Sequence, residues 1–304
     1  MNDDQIFTFV VFTIGVAVKK VSLVLCTLGP RKSELNLLFS SLSRQSFNLN
    51  DIELIIVDQN PHDENLDVLN QFPELGNITR YFKSKKGLSL SRNVGISHAS
   101  GEIICFPDDD CIYESDIINR VYEYFKLNKS VSFISTNSKD PEDFSKSLVN
   151  FPRFDSGINT RHLIGCSFTL FFRYEFIINV QSFDEKMGVG THTIFGAGEE
   201  HDFMLRGMAL GHVGVYIHDL VVYHPAKGEN FEINSFKRRL SYSAGLAYFL
   251  IKNRKFLERK IFYSYIINQF LMIFSSVRPS RVLLNLVSLY GFLRGIIYVY
   301  LRKE

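Results

Sequence analysis

Short runs of consecutive apolar residues alternate along this chain with longer stretches in which apolar positions recur every three or four residues. The run Val21–Cys26 predicts a buried strand, and Ser33–Gln45 predicts a helix with Leu35, Leu38, Phe39 and Leu42 on one side. The same rhythm predicts strands at Ile52–Asp58, Ile78–Phe82, Glu102–Phe106 and Val131–Ser135. Between them fall helices near Glu64–Phe72, Ser89–Ala99 and Ser115–Leu127. After Thr136 the pattern loosens into a polar surface excursion over 137–162, with Pro141 and Pro152. A strand-like run Leu163–Phe172 follows, then a glycine-rich stretch (Gly188, Gly190, Gly196, Gly198), a helix Phe203–Leu210, and strands Val213–Ile217 and Leu220–Tyr223. Strand–helix alternation of this kind predicts an α/β fold: a mostly parallel sheet covered on both faces, with ligands outside the carboxyl ends of its strands. Asp58 and the cluster at Asp108 both fall at such ends.

The last seventy residues read differently. Two apolar stretches, Ile261–Val277 and Val282–Leu301, predict a helical appendage, which divides the chain into an N-terminal apolar segment (1–20), an α/β domain (21–228) and a tail (229–304). On a helical wheel, Leu286, Leu289, Leu293, Ile296, Ile297 and Tyr300 share one side. Asn285, Ser288, Gly291, Arg294 and Gly295 share the other. With Arg278, Arg281, Arg302 and Lys303 at its ends, the second stretch fits a helix lying in a membrane interface better than one spanning it. The N-terminal run from Ile6 to Val18 is short of the ~20 residues that span a bilayer and lacks a basic start, so a packed terminal segment is expected there.

Charge reinforces the division. Net charge over 304 residues is only +2, yet residues 231–304 hold 13 Lys/Arg against 3 Asp/Glu, leaving 21 basic and 29 acidic residues for the remainder. A mildly acidic body with a basic, apolar tail points to an anionic membrane surface; nucleic acid is disfavoured, because the basic residues alternate with long apolar stretches. Cys26, Cys105, Cys111 and Cys166 show no metal-ligand spacing and predict buried free thiols in a reducing compartment.

Candidate chemistry begins with Asp108-Asp109-Asp110, directly after the apolar run Ile103–Pro107. Carboxylates this close repel unless a cation sits among them, and Mg²⁺ or Mn²⁺ is the natural one; a solvated acidic turn is the plain alternative. Val57-Asp58-Gln59-Asn60 offers acceptors suited to a base and ribose, or is simply a polar loop. Arg92 on the helix opening at Gly87 suits an anion such as phosphate, or is a surface arginine. Glu199-Glu200-His201-Asp202 could complement a helix dipole, or carry a general base on a mobile loop. His224 gains interest only because a metal at Asp110 needs a further ligand.

Together, Val21–Thr27, Val57–Asn60, Gly87–Gly95, Gly101–Cys111, Gly196–Arg206 and Tyr223-His224-Pro225 resemble the nucleotide-sugar glycosyltransferases of family 2 over about residues 21–228. The resemblance implies a GT-A fold, a divalent metal, and inverting transfer from a nucleoside-diphosphate sugar (UDP- or dTDP-linked) to a glycan or lipid-linked glycan at the cytoplasmic face of a bacterial inner membrane, in surface-polysaccharide assembly. By position it makes Asp108 and Asp110 the outer acids of a D-x-D motif, with Asp110 and His224 on the metal and Asp108 facing the ribose or metal-bound water. Thr27, Asp58, Gln59, Arg92 and Asp109 become donor contacts. Glu200 becomes the catalytic base, with Glu199 beside it. Two positions depart from the family pattern: Gln59 where a second aspartate is common, and Glu200 where the base is usually aspartate. A catalytically inactive partner in an assembly complex and a sugar nucleotidyltransferase are the alternative readings. Thr27–Arg31 is too poor in glycine for the phosphate loop of the latter, and the absence of Trp disfavours a processive synthase.

Overall fold

The computed structural model describes residues 19–63, 65–147, 149–226, 233–274 and 279–302. The N-terminal apolar run, Arg278 and Lys303 lie outside them. In chain order the elements are β1 (Lys19–Thr27), α1 (Lys32–Ser43), β2 (Ile52–Asp58), α2 (Leu66–Leu69), α3 (Pro73–Gly76), β3 (Thr79–Lys83), α4 (Leu88–His98), β4 (Gly101–Cys105), β5 (Ile112–Tyr113) and α5 (Ile117–Leu127). Then come β6 (Val131–Lys139), β7 (Ser156–Ile158), β8 (Leu170–Arg173), α6 (Tyr174–Val180), α7 (Glu199–Ala209), β9 (Val213–Tyr223) and the tail helices α8 (Ile233–Lys252), α9 (Arg259–Phe274) and α10 (Pro279–Arg302).

The strands form one mixed sheet in the order β3-β2-β1-β4-β8-β6-β9-β5, with β7 on β9. β3, β2, β1 and β4 run parallel, β8 is antiparallel between β4 and β6, and β6 and β9 pair parallel. All seven residues of β2 are buried, as a central strand covered on both faces requires. Leu35, Leu38, Phe39 and Leu42 of α1 pack on one face with Ile117, Val121 and Phe125 of α5. An aromatic layer of Phe106, Phe133, Phe172, Phe176 and Phe203 fills the other.

Four expectations needed adjustment. The stretch 137–162, expected as a polar surface excursion, holds the end of β6 and all of β7, which pairs with β9. The helix near Glu64–Phe72 shrinks to α2 and α3, because Pro73 starts a new turn rather than extending the old one. The strand-like run Leu163–Phe172 pairs only from Leu170. Gly165 has a left-handed φ of 137° and Cys166–Thr169 closes a tight turn. The last two predicted strands are one, β9, with a register shift between Ile217 and Val221.

The tail is helical, and most of the apolar side that the wheel assigns to an interface points away from the body. Gly291 and Gly295 of α10 sit directly against the backbones of Leu240 and Ala244 in α8, closer than any side chain would allow. Asn285 donates to the Met272 carbonyl at 2.6 Å and Ser288 accepts from Arg239 at 3.3 Å. Asn285, Ser288, Gly291 and Gly295 therefore face inward with Leu284, Phe292 and Val299, while Arg294, Leu286, Tyr290, Leu293, Ile297 and Tyr300 stand exposed. α9 adds Tyr263, Ile267, Phe270, Leu271 and Met272 to this outer apolar surface. Among the described residues, Pro279–Leu301 alone is long and apolar enough to cross a bilayer. α8 joins the body through a third core, in which Ala244, Tyr248 and Phe249 meet Met187, Phe195 and Leu205.

Candidate active site

β4 ends at Cys105, and the chain turns through Phe106-Pro107 so that the acidic triplet stands on the rim of the sheet. β9 ends beside it, and the His224 amide donates to the Lys139 carbonyl at 3.0 Å, placing the imidazole over the triplet. His224 Nε2 lies 2.9 Å from Asp110 Oδ1 and 3.9 Å from Asp108 Oδ2. Ligand atoms of Asp108, Asp110 and His224 all fall within 4.8 Å of one another. On its far side the ring's Nδ1 faces the Pro225 carbonyl at 2.9 Å, which directs the Nδ1 proton there and leaves Nε2 toward the acids. Phe168 stacks on the ring with centroids 4.5 Å apart.

Charge crowds this corner. Desolvation pushes Asp108 up to about 6, with the Asp110 and Asp109 carboxylates adding to the rise and Arg92 and His224 opposing it. Burial pulls His224 down, but Asp110 and Asp108 more than offset this and leave it raised. Carboxylate oxygens of Asp108 and Asp110 and an imidazole nitrogen of His224 converging on one point suit a divalent cation of the Mg²⁺ or Mn²⁺ type.

Asp109 turns away from that point. It accepts from Thr27 Oγ1 at 2.9 Å and pairs with Arg31 at 3.2 Å; Arg31 also approaches Asp110 at 3.7 Å. Burial raises its carboxyl, partly countered by Arg31 and Thr27. Asp58 is fully buried and already occupied: it accepts from the Tyr81 hydroxyl, from Lys83 at 3.1 Å and from the backbone and side-chain amides of Asn60 at 2.8 Å. Gln59 accepts from the Gly87 amide at 2.8 Å, tying the β2 end to the start of α4. Thr27, Asp58 and Gln59 thus form a second group beside the acidic corner.

Arg92 is nearly inaccessible, at 2% exposure. It donates to Glu199 at 3.1 Å and to Ser167 Oγ at 2.6 Å, and its other contact is Asp108 at 3.9 Å. Glu199 is buried, and among the described residues its Oε2 has no hydrogen-bond partner. Desolvation, reinforced by Glu200, raises its carboxyl to about 8 against the opposing pull of Arg92. Glu200, one residue on, lines an open cavity of about 660 Å³ together with Asp108 and His224. The two glutamates, adjacent in the sequence, therefore have opposite surroundings.

The tail supplies the cavity's other wall: Arg238, Arg239 and Tyr242 of α8 line it, as does Leu284 of α10. Reading the sequence alone did not place these residues at the site, and no local signal marks them. Arg31 was legible as a cation four residues beyond a strand end. Of the cysteines, all free, Cys105 and Cys111 are buried, whereas Cys26 and Cys166 are partly accessible and Cys166 lines the cavity.

A mixed sheet with an acidic corner at its carboxyl-terminal rim and a helical tail closing over it defines a GT-A-type α/β protein. The chain matches the model of glycosyl transferase family 2 over residues 22–195 and belongs to that family. It is 28% identical over 144 residues to a cholesterol galactosyltransferase of Borreliella burgdorferi, covering 44% of this chain and 38% of the relative. It is 30% identical over 114 residues to the poly(ribitol-phosphate) beta-N-acetylglucosaminyltransferase TarP of Staphylococcus aureus, covering 37% and 35%. The matched segment is thus little more than a third of either relative. Among solved structures, a mannosyltransferase from Pyrobaculum calidifontis in complex with GDP-Man and Mn²⁺ superposes with TM-score 0.62 at 14% identity, over 94% of this chain and 88% of that one. S. aureus TarS 1-349 in complex with UDP-GlcNAc superposes with TM-score 0.58 at 15% identity, over 91% and 81%.

Proposed function

We propose that the chain is an inverting glycosyltransferase that moves a sugar from a nucleoside-diphosphate donor to a hydroxyl of a glycan or lipid-linked glycan. The observation that carries this is the single cavity joining the Asp108–Asp110–His224 cluster to the Glu200 carboxylate. One end suits a metal-bound diphosphate and the other a base. Asp110 and His224 would hold a Mn²⁺ or Mg²⁺ ion, with Asp108 beside them. Bound there, the ion supplies Lewis-acid charge to the diphosphate leaving group. Glu200 takes the acceptor hydroxyl's proton while that oxygen bonds to the anomeric carbon and the bond from that carbon to the diphosphate oxygen breaks. A single displacement from the opposite face inverts the centre. Arg92 and Glu199 act behind the cavity wall, holding Asp108 and the start of α7 in place. Thr27, Asp58, Gln59 and Asp109 form the nucleotide side.

The outward apolar faces of α9 and α10, flanked by Arg254, Lys255, Arg259 and Lys260, support contact with an anionic membrane, at the cytoplasmic face if the donor is a cytosolic nucleotide sugar. Because α10 holds α8 through its small, polar side, it would lie along the surface rather than cross it.

Thermal-shift measurements with UDP-, dTDP- and GDP-sugars, with and without Mn²⁺, test the reading. One nucleotide class should stabilise the protein only with metal, by about 2.7 kcal/mol at a hundredfold excess over Kd. No shift with any nucleotide, or equal shifts without metal, would remove the donor site.

A further inference from the structure

The main cavity has a second compartment. A smaller cavity of about 250 Å³ adjoins it, floored by the glycine-rich stretch at Gly188, Gly190, Thr191 and Thr193, and sharing Arg238 and Tyr242 with the larger one. Arg238 therefore stands where the two meet. Its backbone carbonyl accepts from Ser241 at 3.0 Å, but among the described residues no carboxylate pairs with its guanidinium. The acids that line the main cavity are Asp108 and Glu200, and among the described residues neither forms an ion pair with Arg238. Lys86 lies along Gly190, close enough that a Cβ there would come within 3.2 Å of its Cγ, which brings a second cation to the same loop. The loop runs directly into Gly198 and Glu199-Glu200, so this compartment lies on the base's side of the cavity rather than the nucleotide's.

We propose that Arg238 and the adjoining compartment bind a phosphate group of the acceptor, so that the hydroxyl to be glycosylated belongs to a phosphate-bearing alcohol. The proposal rests on the transferase reading above, in which Glu200 meets the acceptor. A guanidinium without a carboxylate partner is a poor neighbour for a neutral sugar and a good one for phosphate, whose oxygens it can engage two at a time. The compartment is too small for a nucleotide and large enough for a phosphoryl group. The donor's diphosphate has its own cationic partner at the acidic corner. A lipid-linked sugar diphosphate and a water-soluble polyol phosphate present the same chemistry here.

The test is calorimetry on the full chain with MnCl₂ present, using three probes: decyl N-acetylglucosaminide, decyl-diphosphoryl N-acetylglucosamine and a glycerol-phosphate tetramer. At least one phosphate probe should bind about tenfold or more tighter than the neutral glycoside, the worth of a charge-assisted contact. Preference for the decyl diphosphate identifies a lipid-linked source, and preference for the tetramer a polyol phosphate. Arg238→Ala should abolish the tenfold difference while UDP affinity stays within about twofold, and Arg238→Lys should restore part of it. Equal binding of charged and neutral probes would overturn the proposal, as would loss of UDP binding in Arg238→Ala with phosphate preference intact. If UDP itself fails to bind the unaltered protein, the fault lies with the transferase reading instead.

Discussion

At the scale of single residues, adjacent glutamates differ in burial. Glu200 faces the cavity, and Glu199 is closed in with Arg92. Glu200→Gln should keep metal-dependent nucleotide affinity while turnover falls about 10²–10⁴-fold, the usual worth of a general base; unchanged turnover would move the role elsewhere. Glu199 makes a pH prediction. Its folded pKa of about 8 exceeds the 4.5 of a free glutamate, so the folded protein keeps a proton that the unfolded chain releases between those values. The stabilisation is therefore complete below about pH 4.5 and is lost as pH rises to about 8. Glu199→Gln should flatten the decline of Tm between pH 5 and 8, and parallel Tm curves for the two proteins would show that Glu199 is ionised throughout. The sequence identified Asp108, Asp110, His224 and both glutamates as candidates, because chemistry concentrates at strand ends. It named Glu200 as the base by position in the family pattern but did not show that Glu199 is buried, since neighbours on a helix differ only in which way the helix is turned. Nor did it show that Tyr81, Lys83 and Asn60 already bond the Asp58 carboxylate.

At the scale of elements, α7 and α8 are held as a unit. Gly245 of α8 lies against the Ala197 backbone, and Gly196 against Ser241, with no room for a Cβ at either place. Gly198, at φ 99°, makes the left-handed turn that starts α7 at Glu199. Asp202, fully buried, bonds Arg206 at 2.8 Å, Asn253 at 2.9 Å and Lys252 at 2.9 Å; Lys252 also pairs with Asp184 at 2.7 Å. Gly245→Val should force α8 off the 196–198 loop, lowering stability by roughly 1–3 kcal/mol in urea unfolding and turnover along with it. A variant as stable and active as the parent would show that α8 does not position Glu200. The periodic signal over residues 21–135 marks every strand and helix except the short α3 and β5. It weakened beyond 136, where β8 and β9 depend on partners far along the chain and α8 packs through glycines that no apolar pattern marks.

At the scale of the whole molecule, the tail both closes the site and presents an apolar surface. Replacing Ile267, Phe270, Leu293 and Ile297, all exposed on α9 and α10, by Asp should leave helix content unchanged and end co-sedimentation with phosphatidylglycerol vesicles. Continued sedimentation would detach the tail from the membrane reading. Asymmetric charge, an apolar tail and an alternating pattern were set by the sequence alone, because each is a property of neighbours along the chain. Which side of α10 turns outward was decided only by tertiary packing. Small residues allow two helix backbones to approach, so the side carrying Gly291 and Gly295 is the one that meets α8. The same holds for the cavity: its acids come from strand ends that periodicity can locate, while its cations come from a helix placed there by contacts across the fold.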